Sequence, residues 1–520
     1  MVKLLKHGVL AAFTAMAYAA LAALFVVACD DLNRPGDNGL AITDVSFIAD
    51  ETNQDFITTS RLVITFNEDI HGLEADDIKL NAPFIILKHG LTRTGPAVYR
   101  LDITPGSLGQ IMVGLDPYKP AGWKWKAKKV NVYTDFSFTG TSALSITRYN
   151  GVWTEVAIPD QISGKPVAAI GDAAFYLKNL TELTIPKTIE TIGKNSFANN
   201  KLTSVTIPGS VEIIGNTAFS INKLESVTIS LGVKTIGDGA FSYNYLDAVY
   251  IPDSVVSIGK NAFANNRLKN SLELPDAVNF IGDGAFANNQ LTSVEIPEKI
   301  KTIGASSFTY NQLNKVEFKG NIVSIESRAF TNNLLENITF PESLTTIGSS
   351  AFAYNKLTSL ALPEGLLFIK DNAFENNYLT QVDIPEGVTA IGRSAFANNK
   401  LKSINMHDNI TAIGDSAFAY NNLDEVTIGS GVVTIGYYAF RDNQLTEVVI
   451  PESVASIGDY AFRNNKLVSI TIGEKVILGV SSFGDGFEAF YNANEKAAGI
   501  YTRDNADSAE WEFKELPGDI

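Results

Sequence analysis

Phenylalanine recurs in a single register at 175, 197, 219, 241, 263, 286, 308, 330, 352, 374, 396, 418, 440 and 462. Every step is 22 residues except one of 23, from Phe263 to Phe286, where Asn270 reads as the extra residue. Fourteen of the chain's 30 phenylalanines therefore keep one beat. A constant period of this size means stacked supersecondary units, each touching its neighbours and none able to bury its apolar face alone. A reaction centre needs its residues once. A phrase rewritten end to end builds a surface.

One unit carries the argument for the fold. In "LTSVTIPGSVEIIGNTAF", Leu202 to Phe219, the apolar positions are Leu202, Val205, Ile207, Val211, Ile214, Ala218 and Phe219. Val205-Thr206-Ile207 alternates in, out, in, as a short strand does. Pro208 ends it, since proline has no N–H to give a ladder. The "IGxxAF" segment is too short for a full helix and reads as a helical turn that pushes Phe219 inward. Stacked strands then form a parallel sheet on one face, and the wider spacing of the helical side curves it.

Asparagine sits three residues after the phenylalanine in thirteen of the fourteen units, Lys178 being the exception. The residue just before it varies among Asn, Ile, Tyr and Asp. A fixed position beside a variable one reads as inward beside outward. An inward column of Asn must bond the backbone of neighbouring turns; the alternative is a plain turn preference of Asn. The glycine after the isoleucine is replaced by Glu326 and Lys370, so positive φ is not expected to be obligatory there.

The recurring pattern "LxxVxIPxxVxxIGxxAFxxN" resembles the leucine-rich repeats of the BspA-like, treponemal type, over about 150–482. Two departures are that this family usually carries Cys where the chain has Asn, and usually runs one residue longer. The resemblance implies an α+β solenoid, a curved leucine-rich-repeat array of about 14 repeats of 22 residues with a parallel sheet on one face. It also implies surface exposure and adhesion to host, matrix or bacterial surface proteins, with a glycan as the other ligand class.

The N-terminus reads as a targeting segment. "MVKLLKH" is a positive n-region, and 21 uncharged residues (8–28) follow, running into Cys29 as Val26-Val27-Ala28-Cys29. That tetrapeptide resembles the lipobox of bacterial lipoproteins, which implies cleavage after residue 28 and acylation of Cys29. An uncleaved membrane-spanning anchor is the alternative, since the apolar run is long enough. The protein is thus expected in the cell envelope, lipid-anchored and facing outward. Asp30 resembles an inner-membrane retention signal of some bacteria and leaves the destination open.

Composition closes off several chemistries. A net charge of −16 leaves nothing to neutralise phosphates, so no nucleic-acid partner is expected. Cys29 is the only cysteine, which excludes disulfides within the chain and paired-cysteine metal or redox motifs. The four histidines, His7, His71, His89 and His407, are scattered without ligand spacing. No catalytic residue, metal site or cofactor is expected.

Around the repeats, the segment 29–40 reads as a tether and 41–135 as a small β-sandwich of six or seven short strands, with alternation at Leu62, Ile64 and Phe66. "ITFNEDIHGLEADDIKL" (64–80) resembles immunoglobulin-like spacer modules of bacterial surface proteins. Its Glu68, Asp69, Asp76 and Asp77 form either a calcium site or a solvated turn. "WKWKAKK" (123–129) reads as a half-buried strand. The solenoid proper runs 136–482, and 483–520 reads as the cap that a last repeat needs over its open apolar end.

For recognition, the outward strand position is the place to look. Read along the chain it is mostly Thr, Ala, Val and Asn, but Tyr250, Glu273, Glu295 and Glu317 fall together. Carboxylates on consecutive strands, ~4.8 Å apart, approach the separation of a retaining glycosidase pair. No inserted loop walls off a pocket around them, so these four residues are expected to bind a ligand rather than to catalyse. A basic protein surface suits them best. Tyr243, Tyr310, Tyr354 and Tyr420 share the variable position before the Asn and form either an outward aromatic strip or loop packing. The alternative to a recognition protein is a structural envelope protein without a specific ligand.

Overall fold

A computed structural model describes residues 42–49, 59–66, 73–81, 86–95, 97–105, 109–115 and 128–132, and then 136–515 save 152–153, 163–164, 485 and 509. The leader, the tether, Cys29, Glu68, Asp69 and the Trp-Lys stretch up to residue 127 lie outside the described residues. The chain divides into two compact units, residues 1–196 and 197–520.

Among its described residues, the N-terminal part of the first unit holds seven strands in two antiparallel sheets. These are β1 (Ile42–Ala49), β2 (Thr59–Phe66), β3 (Ile78–Asn81), β4 (Ile86–Gly95), β5 (Val98–Pro105), β6 (Gly109–Leu115) and β7 (Lys128–Val132). The sheet orders are β1-β2-β5-β4 and β3-β6-β7. The alternation read from sequence holds: Leu62, Ile64 and Phe66 are buried, and Phe66 meets Tyr99 edge-on at 5.7 Å. Asp76 pairs with Lys88 at 3.2 Å. A hairpin of β8 (Phe136–Thr139) and β9 (Leu144–Tyr149) follows, and β9 pairs in parallel with Lys165–Ile170. Tyr149 stacks on Phe175 at 5.3 Å, so a tyrosine heads the ring column in this unit.

The second unit is a β-solenoid. Rings from Phe197 to Phe462 stack one per repeat, and Phe483 extends the column by one more. Centroids are 5.0–5.7 Å apart with interplanar angles of 4–14°. Such spacing is an offset stack, the favoured arrangement for parallel rings. The Val, Ile, Ala and Leu of each repeat fill the space around it, mostly at zero exposure.

Two parallel ladders run along this unit, and the longer is not the one expected. The first strands, of the Val-x-Ile type, pair only in short groups: Ser204–Ile207 with Ser226–Ile229, then Lys269–Leu272, Gln290–Ile296 and Lys315–Phe318, then two further groups. The second strands are two residues each, ending in the Ile of "IGxxAF". From Thr302–Ile303 to Ile477–Leu478 they form an unbroken nine-stranded parallel sheet. Proline contributes to the difference at some repeats. At two slots that are not proline the N–H rejoins the ladder: Ser230 donates to Ile207 O at 3.1 Å and Lys319 to Ile296 O at 3.0 Å. Across Pro341, Pro363 and Pro385 a single bridge, Thr339↔Ala361, remains.

The helical turn expected after the isoleucine is replaced by two overlapping tight turns. The reason is a pair of left-handed columns. The residue two before each phenylalanine has φ of 50–65°, and the variable residue two after it has φ of 53–59°. A right-handed helix cannot hold such residues. The glycine of "IG" is not one of them, as Glu326 and Lys370 indicated. At Gly237 it permits a close approach of neighbouring backbone: a Cβ there would sit 2.6 Å from Ile214 O.

Candidate recognition surface

The buried columns are fully committed. Asn200 through Asn443 are 2–8% exposed. Each donates its Nδ2 to the phenylalanine carbonyls of its own repeat and, from Asn222 on, of the one before. Each Oδ1 from Asn222 on accepts the leucine N–H of the preceding repeat, as Asn311 does from Leu291 at 3.0 Å. The inward ladder read from sequence is therefore present. The variable neighbour is also explained, because Asn is among the non-glycine residues that best tolerate left-handed backbone, and it fills much of that column beside Ile221, Asp442 and the tyrosines. Tyr243, Tyr310, Tyr354 and Tyr420 stand out from it about half exposed.

Sequence reasoning missed a third polar column. Asp or Asn after the Ile-Gly pair caps the next repeat: Asp238 Oδ1 accepts the Lys260 N–H at 2.8 Å, and Asp283 accepts that of Ala305 at 3.0 Å. The recurring "IGD" at 170–172, 236–238, 281–283, 413–415 and 457–459 was the available signal.

The four residues singled out for ligand binding are on the first-strand face. Glu295 and Glu317 are register partners on adjacent strands. Glu273 lies one residue beyond the last paired position, Leu272↔Val294, and Tyr250 lies on irregular backbone, 68% exposed. The patch is not purely acidic. Lys315 holds Glu317 at 2.9 Å, and Lys319 pairs with Glu295. The hydrogen bond and charge of Lys315 lower the Glu317 carboxyl below the usual carboxylate range, and Glu295 raises Lys319. Glu273 has no ion-pair partner among the described residues. The surface is thus a mixed-charge lattice with one free carboxylate and one exposed ring.

His407 occupies the slot usually held by proline. Its Nε2 bonds Pro385 O at 2.9 Å, and its Nδ1 lies 3.3 Å from the Asn409 N–H, so it is a turn residue. Among the described residues no group of acidic, histidine or cysteine side chains could hold a metal. No helix among them is long and apolar enough to cross a membrane.

A family model described as the BspA type leucine rich repeat region (6 copies) matches residues 149–270, 257–379 and 368–486, more than half of the chain. The chain belongs to this family. Membership of the BspA-type repeats is consistent with protein recognition or adhesion, and leucine-rich-repeat proteins generally bind proteins. Among solved structures, a leucine-rich repeat protein from Bacteroides ovatus is similar, with a TM-score of 0.51 at 24% identity, covering 68% of this chain and 91% of that one. A leucine rich cell surface protein from Faecalibacterium prausnitzii gives 0.37 at 25% identity, covering 66% and 88%. A leucine-rich repeat protein from Eubacterium ventriosum gives 0.35 at 22%, covering 62% and 90%. The Bacteroides likeness concerns the fold alone. No curated protein matches the chain.

Proposed function

We propose that this BspA-type protein is a cell-envelope lipoprotein, anchored through Cys29, that presents its first-strand face to a protein on another cell or in a matrix and so mediates adhesion. The observation that carries the reading is the Asn ladder. It ties each repeat from Asn222 to Asn465 to the one before it, so the outward side chains stand on a rigid lattice and lose little freedom on binding. Tyr250, Glu273, Glu295 and Glu317 are the proposed contact. Because Lys315 and Lys319 neutralise two of the carboxylates, the partner is a surface of mixed charge centred on one basic group opposite Glu273.

The full chain, purified in detergent and immobilised, is expected to bind some member of a panel of matrix and bacterial surface proteins saturably, and less tightly as salt rises. Replacing Glu273, Glu295 and Glu317 together by Gln should weaken that binding by about tenfold or more. A triple change of Tyr310, Asn332 and Tyr354 should not. The reverse outcome places recognition on the turn side, and saturable binding to nothing favours a structural envelope protein. Cys29→Ser should move the protein from the membrane pellet to the soluble fraction; retention in the pellet with the leader intact means a helical anchor.

A further inference from the structure

A groove of about 630 Å³ runs across the second-strand sheet at the C-terminal end of the solenoid. Its floor is the outer face of Ala412, Thr434 and Ser456 with the Ile-Gly backbone between them, small enough for a ligand to lie close. Its wall is the column of residues that follow the Ile-Gly or equivalent pair: Asp371, Arg393, Asp415, Tyr437 and Asp459, one per repeat. This is another face from the one proposed above for protein recognition, and the two readings stand or fall separately.

The wall is held still. Asp371, Asp415 and Asp459 each use Oδ1 to accept the backbone N–H of the next repeat, at 2.9, 3.0 and 2.8 Å. That leaves Oδ2 turned to other uses. The Asp415 Oδ2 lies 3.8 Å from Arg393 Nε, and the Asp459 Oδ2 has no partner among the described residues. The hydroxyls of Thr434, Ser456 and Tyr437 have none either, and the Tyr437 ring is 52% exposed. The groove therefore offers a stacking face together with donors and acceptors in alternation.

We propose that this groove binds an extended, uncharged, β-linked polysaccharide laid across the strands with about one sugar per repeat. Three features select that ligand. Mixed donors and acceptors suit a chain of hydroxyl groups, whereas a basic peptide would leave Arg393 and the hydroxyl donors unused. The excess of carboxylates repels an acidic glycan. Finally, successive repeats are ~4.8 Å apart along the sheet, and an extended β-linked sugar chain advances by about that distance per residue, so its sugars meet the same wall position strand after strand. An α-linked chain coils and cannot stay in step.

The test is calorimetric titration of the full chain in detergent with cellohexaose, chitohexaose and maltohexaose. At least one β-linked hexaose should bind saturably, and maltohexaose about tenfold or more weakly. Tyr437→Ala should weaken binding of the β-linked probe by about tenfold, and Ala412→Trp should abolish it by filling the floor. Both side chains are at least partly exposed, and an unchanged circular dichroism spectrum checks that the variants fold. The triple Glu→Gln variant at 273, 295 and 317 should bind the sugar like the parent. The proposal is overturned if neither β-linked hexaose binds, if maltohexaose binds equally well, or if Tyr437→Ala binds unchanged. A lysine-rich peptide that binds and is lost in Tyr437→Ala, with no hexaose binding, would assign the groove to a protein instead.

Discussion

The amide of Asn311 spans two repeats. Its Oδ1 accepts the Leu291 N–H at 3.0 Å, and its Nδ2 donates to the carbonyls of Phe286 at 2.9 Å and Phe308 at 3.2 Å. Asn311→Ala strands these buried groups and should cost about 1–3 kcal/mol, read as a lower urea midpoint; an unchanged midpoint would mean the column contributes nothing. Asn311→Asp should be worse near neutral pH, because a carboxylate would face two carbonyl oxygens. Its folded-state pKa is then raised, so the protonated form is the better tolerated and the loss should shrink as pH falls toward the ordinary carboxylate value. The left-handed columns give an opposite prediction. Ile221 has φ of 55°, which a β-branched residue adopts at a cost, yet its side chain is half exposed. Ile221→Asn should therefore stabilise the protein by roughly 1 kcal/mol, visible as a higher melting temperature. No gain would mean that the Ile contacts offset the strain.

Within the repeat, Asn270 is the one insertion in the array, and the structure shows how it is absorbed. It is left-handed, with φ of 62°, and the ladder between Lys269–Leu272 and Gln290–Ile296 shifts register beside it. Deleting Asn270 restores the 22-residue step, so the urea midpoint should hold or rise. Deleting Ala262, fully buried in the turn before Phe263, should collapse the neighbouring repeats. A midpoint that falls equally in both would show that the bulge is structurally required. The contrast also shows what could be read in advance. The Phe beat, the inward Asn and the extra residue were legible because burial and hydrogen bonding constrain residue identity. The left-handed columns were not, because Asn, Tyr, Ser, Arg and Gly all occupy them, and four residues between Ile and Phe then looked like a helical turn. The Thr-Ile ladder was hidden for a related reason: a two-residue strand has no alternation to detect. The same short strands frame the groove at Tyr437, which period counting alone did not single out.

At the scale of the whole molecule, a solenoid is stable as a sum over repeats and their interfaces, and its ends are the weak points. The C-terminal end is closed by aromatic packing. Helix α1 (Phe487–Ala493) sets Phe487 edge-on to Phe483 at 4.8 Å and to Trp511 at 5.0 Å, ending the ring column. Tyr501 is buried against Phe487, and its hydroxyl donates to Ala497 O at 2.8 Å. Burial pushes that hydroxyl up to about 12, from an ordinary value near 10. Because the folded-state value is raised, the neutral form is the one the cap accepts. Its contribution is whole below about pH 10 and is lost as pH rises from there toward 12. The cap should then be the first part of the second unit to open in alkali, unsealing the stack at Phe483. Tyr501→Phe removes the titrating group and one hydrogen bond. It should lower the urea midpoint slightly near pH 8, by about 1 kcal/mol, yet lose less than the parent between about pH 8 and pH 11. If the parent and Tyr501→Phe fall in parallel over that range, alkaline unfolding starts elsewhere and the cap is not the weak end.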